Sequence, residues 1–174
     1  MKKIILITLF ALLFTSCTGN VSPDNLDFNK SFTLTTEIEY NGAVSTADFT
    51  RTSVGEWEGV LTAPYALQGM QVSFTPTEMK VSYADFGVDL GESIPPEINV
   101  SAFMMIKTLE SAFTMQNVNA VGGRDGIEIS GMFDGDSYVL RLDKEGIPLS
   151  LEMPRRQLKV TFSGVTASTF RVLP

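Results

Sequence analysis

The sequence predicts a mainly β domain of the α+β class, in which a curved antiparallel sheet of about ten strands, an incomplete barrel, wraps around one apolar helix. Three observations lead to this prediction. Apolar and polar residues alternate with a period of two over most of the chain after residue 30. Asn-Gly and Asp-Gly pairs separate the alternating runs. Only one segment, between residues 97 and 113, carries apolar residues at the spacing of a helix.

The first half of the chain predicts a series of hairpins. In residues 32–40, Phe32, Leu34 and Ile38 alternate with polar residues, as in a strand with one buried face. Asn41-Gly42 follows, and this pair favours a type I′ turn because both central residues of that turn need positive φ. Further strands are predicted at residues 44–51, 56–61, 70–75, 79–83 and 86–90.

The helix is predicted at residues 97–113, after Pro95-Pro96, because this segment lacks glycine and internal proline. Asn99 or Ser101 could cap its start. The helix is predicted to be enclosed on most sides, since few of its residues look solvent-facing. Its apolar stripe consists of Phe103, Ile106, Leu109 and Phe113. Its predicted solvent-facing residues are Lys107, Thr108, Glu110 and Ser111.

Alternation with a period of two returns after the helix. Asp134-Gly135 is a second hairpin turn, and Lys144-Glu145-Gly146 is a third. The positions that define these predicted strands are Ile127, Ile129, Gly131, Phe133, Tyr138, Leu140, Leu142, Leu149, Leu151, Leu158, Val160 and Phe162, with Phe170 and Val172 closing the chain.

The first 30 residues predict an exported protein held by a lipid. Lys2 and Lys3 precede an apolar run at residues 4–14, which is too short to span a bilayer, since a spanning helix needs roughly 20 residues. The run is typical of a secretory signal peptide. Thr15-Ser16-Cys17 resembles a lipobox, in which diacylglycerol is attached to the cysteine after cleavage before it. An ordinary signal peptide with a free cysteine and an uncleaved anchor remain as alternatives.

Three segments follow from this interpretation: a lipoprotein signal peptide at 1–16, the lipidated Cys17 with its tether at 17–30, and one β-rich ligand-binding domain at 31–174. The predicted location is the cell envelope outside the cytoplasm. No acidic run follows Cys17, which favours a periplasm-facing membrane in a Gram-negative host; in a Gram-positive host the protein would lie at the cell surface. The formal net charge of −7 argues against nucleic acid and against electrostatic binding to anionic lipid headgroups.

The composition argues against an enzyme. The sequence contains no histidine, and its single cysteine is the predicted lipidation site. No cofactor, metal or catalytic residue is therefore predicted. Residues 134–137, Asp-Gly-Asp-Ser, resemble a fragment of a calcium loop but lack the downstream glutamate, so a plain hairpin turn is favoured. The same-face pairs Glu37 with Glu39 and Glu56 with Glu58 are interpreted as a solvated face.

The candidate ligand site consists of large apolar residues, since Met and aromatic side chains adapt to varied apolar ligands. On the helix these are Phe103, Met104, Ile106, Leu109 and Phe113. On the sheet they are Phe32, Leu34, Ile38, Trp57 and Phe74. A filled core made of the same residues is the alternative.

Several segments together resemble a known superfamily. They are the run from Gly59 to Gly69, the run from Gly131 to Leu142, Gly146-Ile147-Pro148-Leu149 and Val160-Thr161-Phe162. In this order, over residues 32–162, the chain is similar to the Lol-type lipoprotein carrier and receptor superfamily, which includes spore-germination and mycobacterial lipoproteins of the same fold. The resemblance implies an incomplete antiparallel barrel that wraps a helical lid and holds acyl chains.

The predicted function is binding of a lipid, a lipoprotein or another apolar ligand between sheet and helix, by a protein attached to the membrane through its N-terminal lipid. One alternative is an envelope module with a solid core that binds a protein partner through its surface or a strand edge. The sequence does not identify such a partner. A carbohydrate-binding module is a third option, with Tyr40, Tyr65 and Tyr83 as candidate contact residues.

Overall fold

The computed structural model describes residues 29–83, 88–89 and 96–167 of the chain. Over these residues the main chain forms eleven strands and one α-helix, together with short 3-10 helices at Tyr65–Leu67 and Pro154–Arg156. The elements are β1 Phe32–Tyr40, β2 Ala43–Ser53, β3 Glu56–Ala63, β4 Met70–Phe74, β5 Met79–Tyr83, β6 Val88–Asp89, α1 Pro96–Phe113, β7 Asn119–Gly122, β8 Ile127–Phe133, β9 Asp136–Leu142, β10 Pro148–Met153 and β11 Leu158–Ala167.

All eleven strands belong to one antiparallel sheet in the order β6-β5-β4-β3-β2-β1-β11-β10-β9-β8-β7. The middle of the sheet is the pairing of β1 with β11, in which Thr36 lies opposite Phe162 and Tyr40 opposite Leu158. The edges are β6 and β7, which do not pair with each other among the described residues. Helix α1 connects these two edge strands along the chain, and it packs on the inner face of the sheet. The predicted fold, an incomplete barrel of about ten strands around one helix, is confirmed.

The hairpin turns adopt the backbone conformation predicted from their residues. Asn41 and Gly42 have φ values of 50° and 81°, and Asp134 and Gly135 have 50° and 82°. Positive φ at both central residues is the condition for a type I′ turn, whose twist matches that of the two flanking strands. These turns set the register of β1 with β2 and of β8 with β9.

The core lies between the inner face of the sheet and the buried side of α1. Inward residues at every second position of the strands pack against Met105, Ile106 and Leu109 of the helix, which are fully buried. The alternation predicted for β1 is confirmed, since Phe32, Leu34, Thr36 and Ile38 are buried while Glu37 and Glu39 are exposed. The buried apolar residues of the sheet and of α1 form one hydrophobic cluster.

Some sequence predictions for the helix are wrong. α1 begins at Pro96, where a missing N–H costs nothing, so Asn99 and Ser101 lie inside the helix and do not cap it. Thr108 was predicted to face solvent but is buried, and its hydroxyl donates to the sulfur of Met153 at 3.5 Å. A hydroxyl tolerates this position because it finds an acceptor there.

Other differences concern the strands. β7 was not predicted, because its four residues include Asn and Gly and show little alternation of polarity; its pairing with β8 decides its conformation. Only Val88–Asp89 of the predicted strand 86–90 is described. Outside the described residues lie the signal peptide and tether up to residue 28, with Cys17, and also Phe170 and Val172.

Two inner-face glycines make room for aromatic rings from the neighbouring strand. Gly59 of β3 lies opposite Phe49 of β2, and a Cβ atom at Gly59 would collide with the Phe49 ring. Gly131 of β8 lies opposite Tyr138 of β9, and a Cβ atom there would lie 2.7 Å from the tyrosine hydroxyl oxygen. Both rings therefore lie across the sheet and fill the layer beneath α1.

We expect Gly59→Ala to lower the free energy of unfolding by about 1–3 kcal/mol, the usual cost of overpacking a filled core, because the Phe49 ring has no free space to move into. Urea denaturation measures the change. Gly123→Ala is the matched control, because the nearest atom to its Cβ would be the Gly126 carbonyl oxygen at 3.7 Å. Equal effects of the two substitutions would contradict this account of the packing.

Candidate functional site

The residues predicted to line a ligand site fall into two groups in the structure. Phe103 lies at the edge of the core and is 39% exposed. The other predicted lining residues are buried members of the packed core, and they touch one another in a single cluster. They are Phe32, Leu34, Ile38, Trp57, Phe74, Met104, Ile106, Leu109 and Phe113. In this cluster, described side chains of the sheet and of α1 pack directly against one another.

A buried ion pair, which the sequence analysis missed, fastens the C-terminal half of α1 to the sheet. Arg51 of β2 is 1% exposed and forms a two-pronged contact with Glu110 of α1. The Arg51 Nε–Glu110 Oε1 distance is 2.7 Å, and the Arg51 Nη2–Glu110 Oε2 distance is 2.9 Å. The Trp57 indole N–H also donates to Glu110 Oε1 at 2.7 Å, and Arg51 Nη1 donates to the carbonyl of Lys30 at 3.1 Å. The prediction that Glu110 faces solvent is therefore wrong.

Aromatic rings enclose the charged pair. The Arg51 guanidinium carbon lies 5.3 Å from the centroid of the Phe113 ring and 6.0 Å from that of Phe32. Phe32 in turn packs edge-on against Trp57, with ring centroids 5.5 Å apart. Three residues predicted to bind an apolar ligand thus surround an internal ion pair. The strand period indicates that Arg51 is buried, because Ala47, Phe49 and Arg51 share the inward face of β2, but it does not indicate the partner of Arg51.

An open cleft lies at the other end of α1. Val100, Phe103 and Met104 of the helix form one side of it, and Phe133 at the end of β8 forms another. Asp134 and Arg156 complete the rim. The cleft has a volume of about 570 Å³, within the range of small-molecule sites. Val100 and Phe103 are 40% and 39% exposed, so the cleft presents apolar surface directly to solvent.

The polar rim of the cleft is an internally paired cluster. Arg156, on the second 3-10 helix, bonds through Nε to Asp136, and its Nη2 lies 3.0 Å from Asp134 Oδ2. The hydrogen bond and charge of Asp136, with a further contribution from Asp134, raise the pKa of Arg156 above its ordinary value. The two carboxylates of this turn therefore serve Arg156, which agrees with a hairpin turn and not with a calcium loop.

A second cation lies beside Phe103. The Phe103 ring packs edge-on against Phe74 of β4, with ring centroids 6.1 Å apart. The Lys107 ammonium nitrogen lies 4.9 Å from the Phe74 centroid and 5.8 Å from that of Phe103. Phe103 thus borders the apolar cleft on one side and a cation–π cluster on the other.

The tyrosines proposed for carbohydrate binding do not form a common exposed platform. Tyr40 and Tyr83 are partly buried against the core, and the Tyr83 hydroxyl donates to the carbonyl of Ala66 at 3.1 Å. Tyr65 alone of the three is largely exposed. These three tyrosine rings therefore do not form a flat exposed surface on which sugar rings could stack.

Two general features of the described residues bear on function. No helix in them has the length and apolarity needed to cross a membrane. In the same residues no group of three or more Asp, Glu, Cys or His side chains is placed to hold a metal ion.

No family model and no curated protein matches the chain. Solved structures that resemble it include the MucA/MucB complex of Pseudomonas aeruginosa, at 19% identity and a TM-score of 0.44 over 80% of this chain; the chain spans about half of that protein, 52% of its length. A LolA superfamily protein from Nitrosomonas europaea resembles it at 8% identity and a TM-score of 0.35, over 90% of this chain and 91% of that one.

A further similar structure is a putative outer membrane lipoprotein-sorting protein domain from Vibrio parahaemolyticus, at 10% identity and a TM-score of 0.29, over 83% of this chain and 87% of that one. The Lol-type resemblance seen in the sequence thus recurs among the structural neighbours.

We expect Glu110→Gln to lower the free energy of unfolding by about 3 kcal/mol, because it leaves the buried Arg51 charge without its counter-ion. Chemical denaturation measures the loss. Arg141→Gln is the control, since Arg141 forms only exposed ion pairs, and we expect a loss of at most about 1 kcal/mol from it. Combining Arg51→Met with Glu110→Gln should recover part of the stability; a double variant that is less stable than Glu110→Gln alone would contradict this interpretation.

Proposed function

We propose that the protein is a lipid-anchored, non-enzymatic protein of the cell envelope that binds an acyl chain of a lipid or lipoprotein. We place the acyl chain in the cleft between the start of α1 and the β8–β9 turn. The observation that carries this proposal is the open cleft of about 570 Å³, lined by the exposed apolar side chains of Val100 and Phe103. Apolar surface at the mouth of a cleft is typical of sites for apolar ligands.

The cleft is a better site than the interior that the sequence predicted. An acyl chain between sheet and helix would have to displace residues such as Leu109 and Ile106, which are fully buried. It would also have to separate Arg51 from Glu110, and removing one partner from a buried ion pair is costly. Glu110 is ten residues from Val100, about 15 Å along the helix axis, so the cleft can be occupied without disturbing that contact.

The proposed site keeps two of the predicted lining residues, Phe103 and Met104. It adds Val100, Phe133 and the rim residue Arg156. Burial of an acyl chain against these side chains would contribute about 25 cal/mol for each Å² of apolar surface removed from water. Binding of the acyl chain in this cleft would therefore depend on apolar contact and not on a catalytic group.

The anchor in this proposal is a lipid on Cys17, and the location is the outer side of a membrane of the envelope. The sequence supports both through the signal peptide pattern at residues 1–16 and the small residues before Cys17. Residues 18–28 separate Cys17 from the described domain, and this length reaches at most about 40 Å when extended. The domain would thus remain close to the membrane that supplies an acyl ligand.

A second candidate function is an interaction module that binds a protein partner. The close packing of the described core residues supports it, because a partner would then bind at the surface. The strand edges at β6 and β7 are possible contacts, since an edge strand offers unpaired backbone groups to an added strand. Absence of acyl binding in the next experiment would favour this function.

We expect Phe103→Asp to weaken acyl binding at least tenfold, because it places a carboxylate in the apolar lining. The measurement is saturable photolabelling of the full chain by a diazirine-bearing monoacylglycerol in neutral phosphatidylcholine vesicles. Met132→Asp is the matched control, since Met132 is exposed on β8 outside the cleft. Labelling that is not saturable, or that is equal in the two variants, would exclude binding in this cleft.

We expect Cys17→Ser to abolish incorporation of a metabolically supplied alkyne fatty acid into the protein, because the thiol that forms the thioether is lost. Gel fluorescence after click labelling, with mass spectrometry of the intact chain, measures this. Ser16→Ala is the control, since it keeps a small residue before the cysteine. Persistent labelling of the Cys17→Ser chain would place the lipid elsewhere and contradict the proposed anchor.

A further inference from the structure

We propose that the cleft selects acyl ligands that carry an anionic headgroup, and that Lys107 binds this headgroup. The inference rests on the proposed acyl-binding function and adds the chemical class of its ligand. Carboxylate and phosphate share the required negative charge, and the experiment below separates them.

Lys107 lies next to Phe103, which lines the cleft: the Lys107 ammonium nitrogen is 5.8 Å from the centroid of that ring. Val100, Phe103 and Lys107 are spaced by three and four residues, so they follow one another along one face of α1. Their span is about 10 Å along the helix axis. An acyl chain that packs on Val100 and Phe103 thus places its headgroup next to the Lys107 ammonium.

Lys107 is held in place without being neutralised. Its ammonium lies over the rings of Phe74 and Phe103, and cation–π attraction orders the side chain while leaving its full positive charge. In the part of the chain that the structure describes, no carboxylate oxygen lies within 4 Å of this nitrogen. Arg51, Arg141 and Arg156 each contact carboxylates of this chain. An external anion can therefore serve as the counter-ion of Lys107.

The other end of the cleft is unsuitable for an anion. Arg156 already contacts the carboxylates of Asp134 and Asp136, so this cluster carries more negative than positive charge. A third anion placed there would be repelled by both carboxylates. This asymmetry orients the ligand, with its headgroup at Lys107 and its chain directed toward Phe133.

The experiment uses the full chain in neutral phosphatidylcholine vesicles and three photoreactive probes with the same acyl chain. The probes are the free fatty acid, the uncharged monoacylglycerol and the monoacylglycerol phosphate. We expect half-saturation of labelling by the two anionic probes at about three- to fivefold lower concentration than by the uncharged probe, the size expected for one partly exposed ion pair. A larger preference for one of the two anionic probes identifies carboxylate or phosphate as the natural headgroup.

The variants separate charge from structure. Lys107→Gln should remove the preference and leave labelling by the uncharged probe unchanged, whereas Lys107→Arg should retain the preference. Arg155→Gln, which changes an exposed cation near the other end of the cleft, should have no effect on it. Thermal unfolding of each variant verifies that the fold is intact.

Three results would overturn the inference. One is equal labelling of the wild-type chain by charged and uncharged probes, which leaves the acyl-binding function standing. Another is a preference that survives in Lys107→Gln or that disappears in Arg155→Gln. A third is saturable labelling by none of the probes, which removes the proposed acyl-binding function as well.

Discussion

The contact between Arg51 and Glu110 is the constraint on which the rest of the structure depends. It joins the middle of the sheet to the last turn of the one helix, with both nitrogen–oxygen distances below 3 Å. Once the two charges are buried, each stabilises the fold only while the other remains in place. The Trp57 indole donates to Glu110, and the rings of Phe32 and Phe113 lie beside the Arg51 guanidinium. The helix therefore has one orientation on the sheet.

The two ends of α1 differ in how closely they pack against the rest of the fold. Beside Glu110, the layer between helix and sheet is closed by aromatic packing. Toward Val100, the same helix leaves apolar surface open next to the β8–β9 turn. Asp134 and Arg156 pair with each other at the rim of this cleft, and Lys107 lies near the ring of Phe103, one of the lining residues. The closely packed end and the open end therefore lie on the same helix.

The elements and their faces were predictable because they depend on neighbours in the sequence. Alternation with a period of two, the Asn41-Gly42 and Asp134-Gly135 turns and the spacing of apolar residues in α1 are local signals, and the structure follows them closely. Alternation and polarity failed where contact with another element matters more. β7 pairs with β8 although its four residues show little alternation, and the polar Thr108 is buried, with its hydroxyl bonded to the Met153 sulfur.

The sequence by itself determined a mostly antiparallel sheet, one apolar helix and many of the side chains that form the core, while the exported N-terminus stays a prediction. Tertiary structure alone decided which of those side chains meet each other. Residues 51 and 110 are far apart along the chain, so no periodicity reveals that Arg51 neutralises Glu110. The same holds for the cleft, since Phe103 and Phe133 become neighbours only when α1 bridges the two edges of the sheet. A pattern in the sequence indicates which side chains share one face of a helix or strand. A cleft depends on how the faces of several such elements are placed relative to one another.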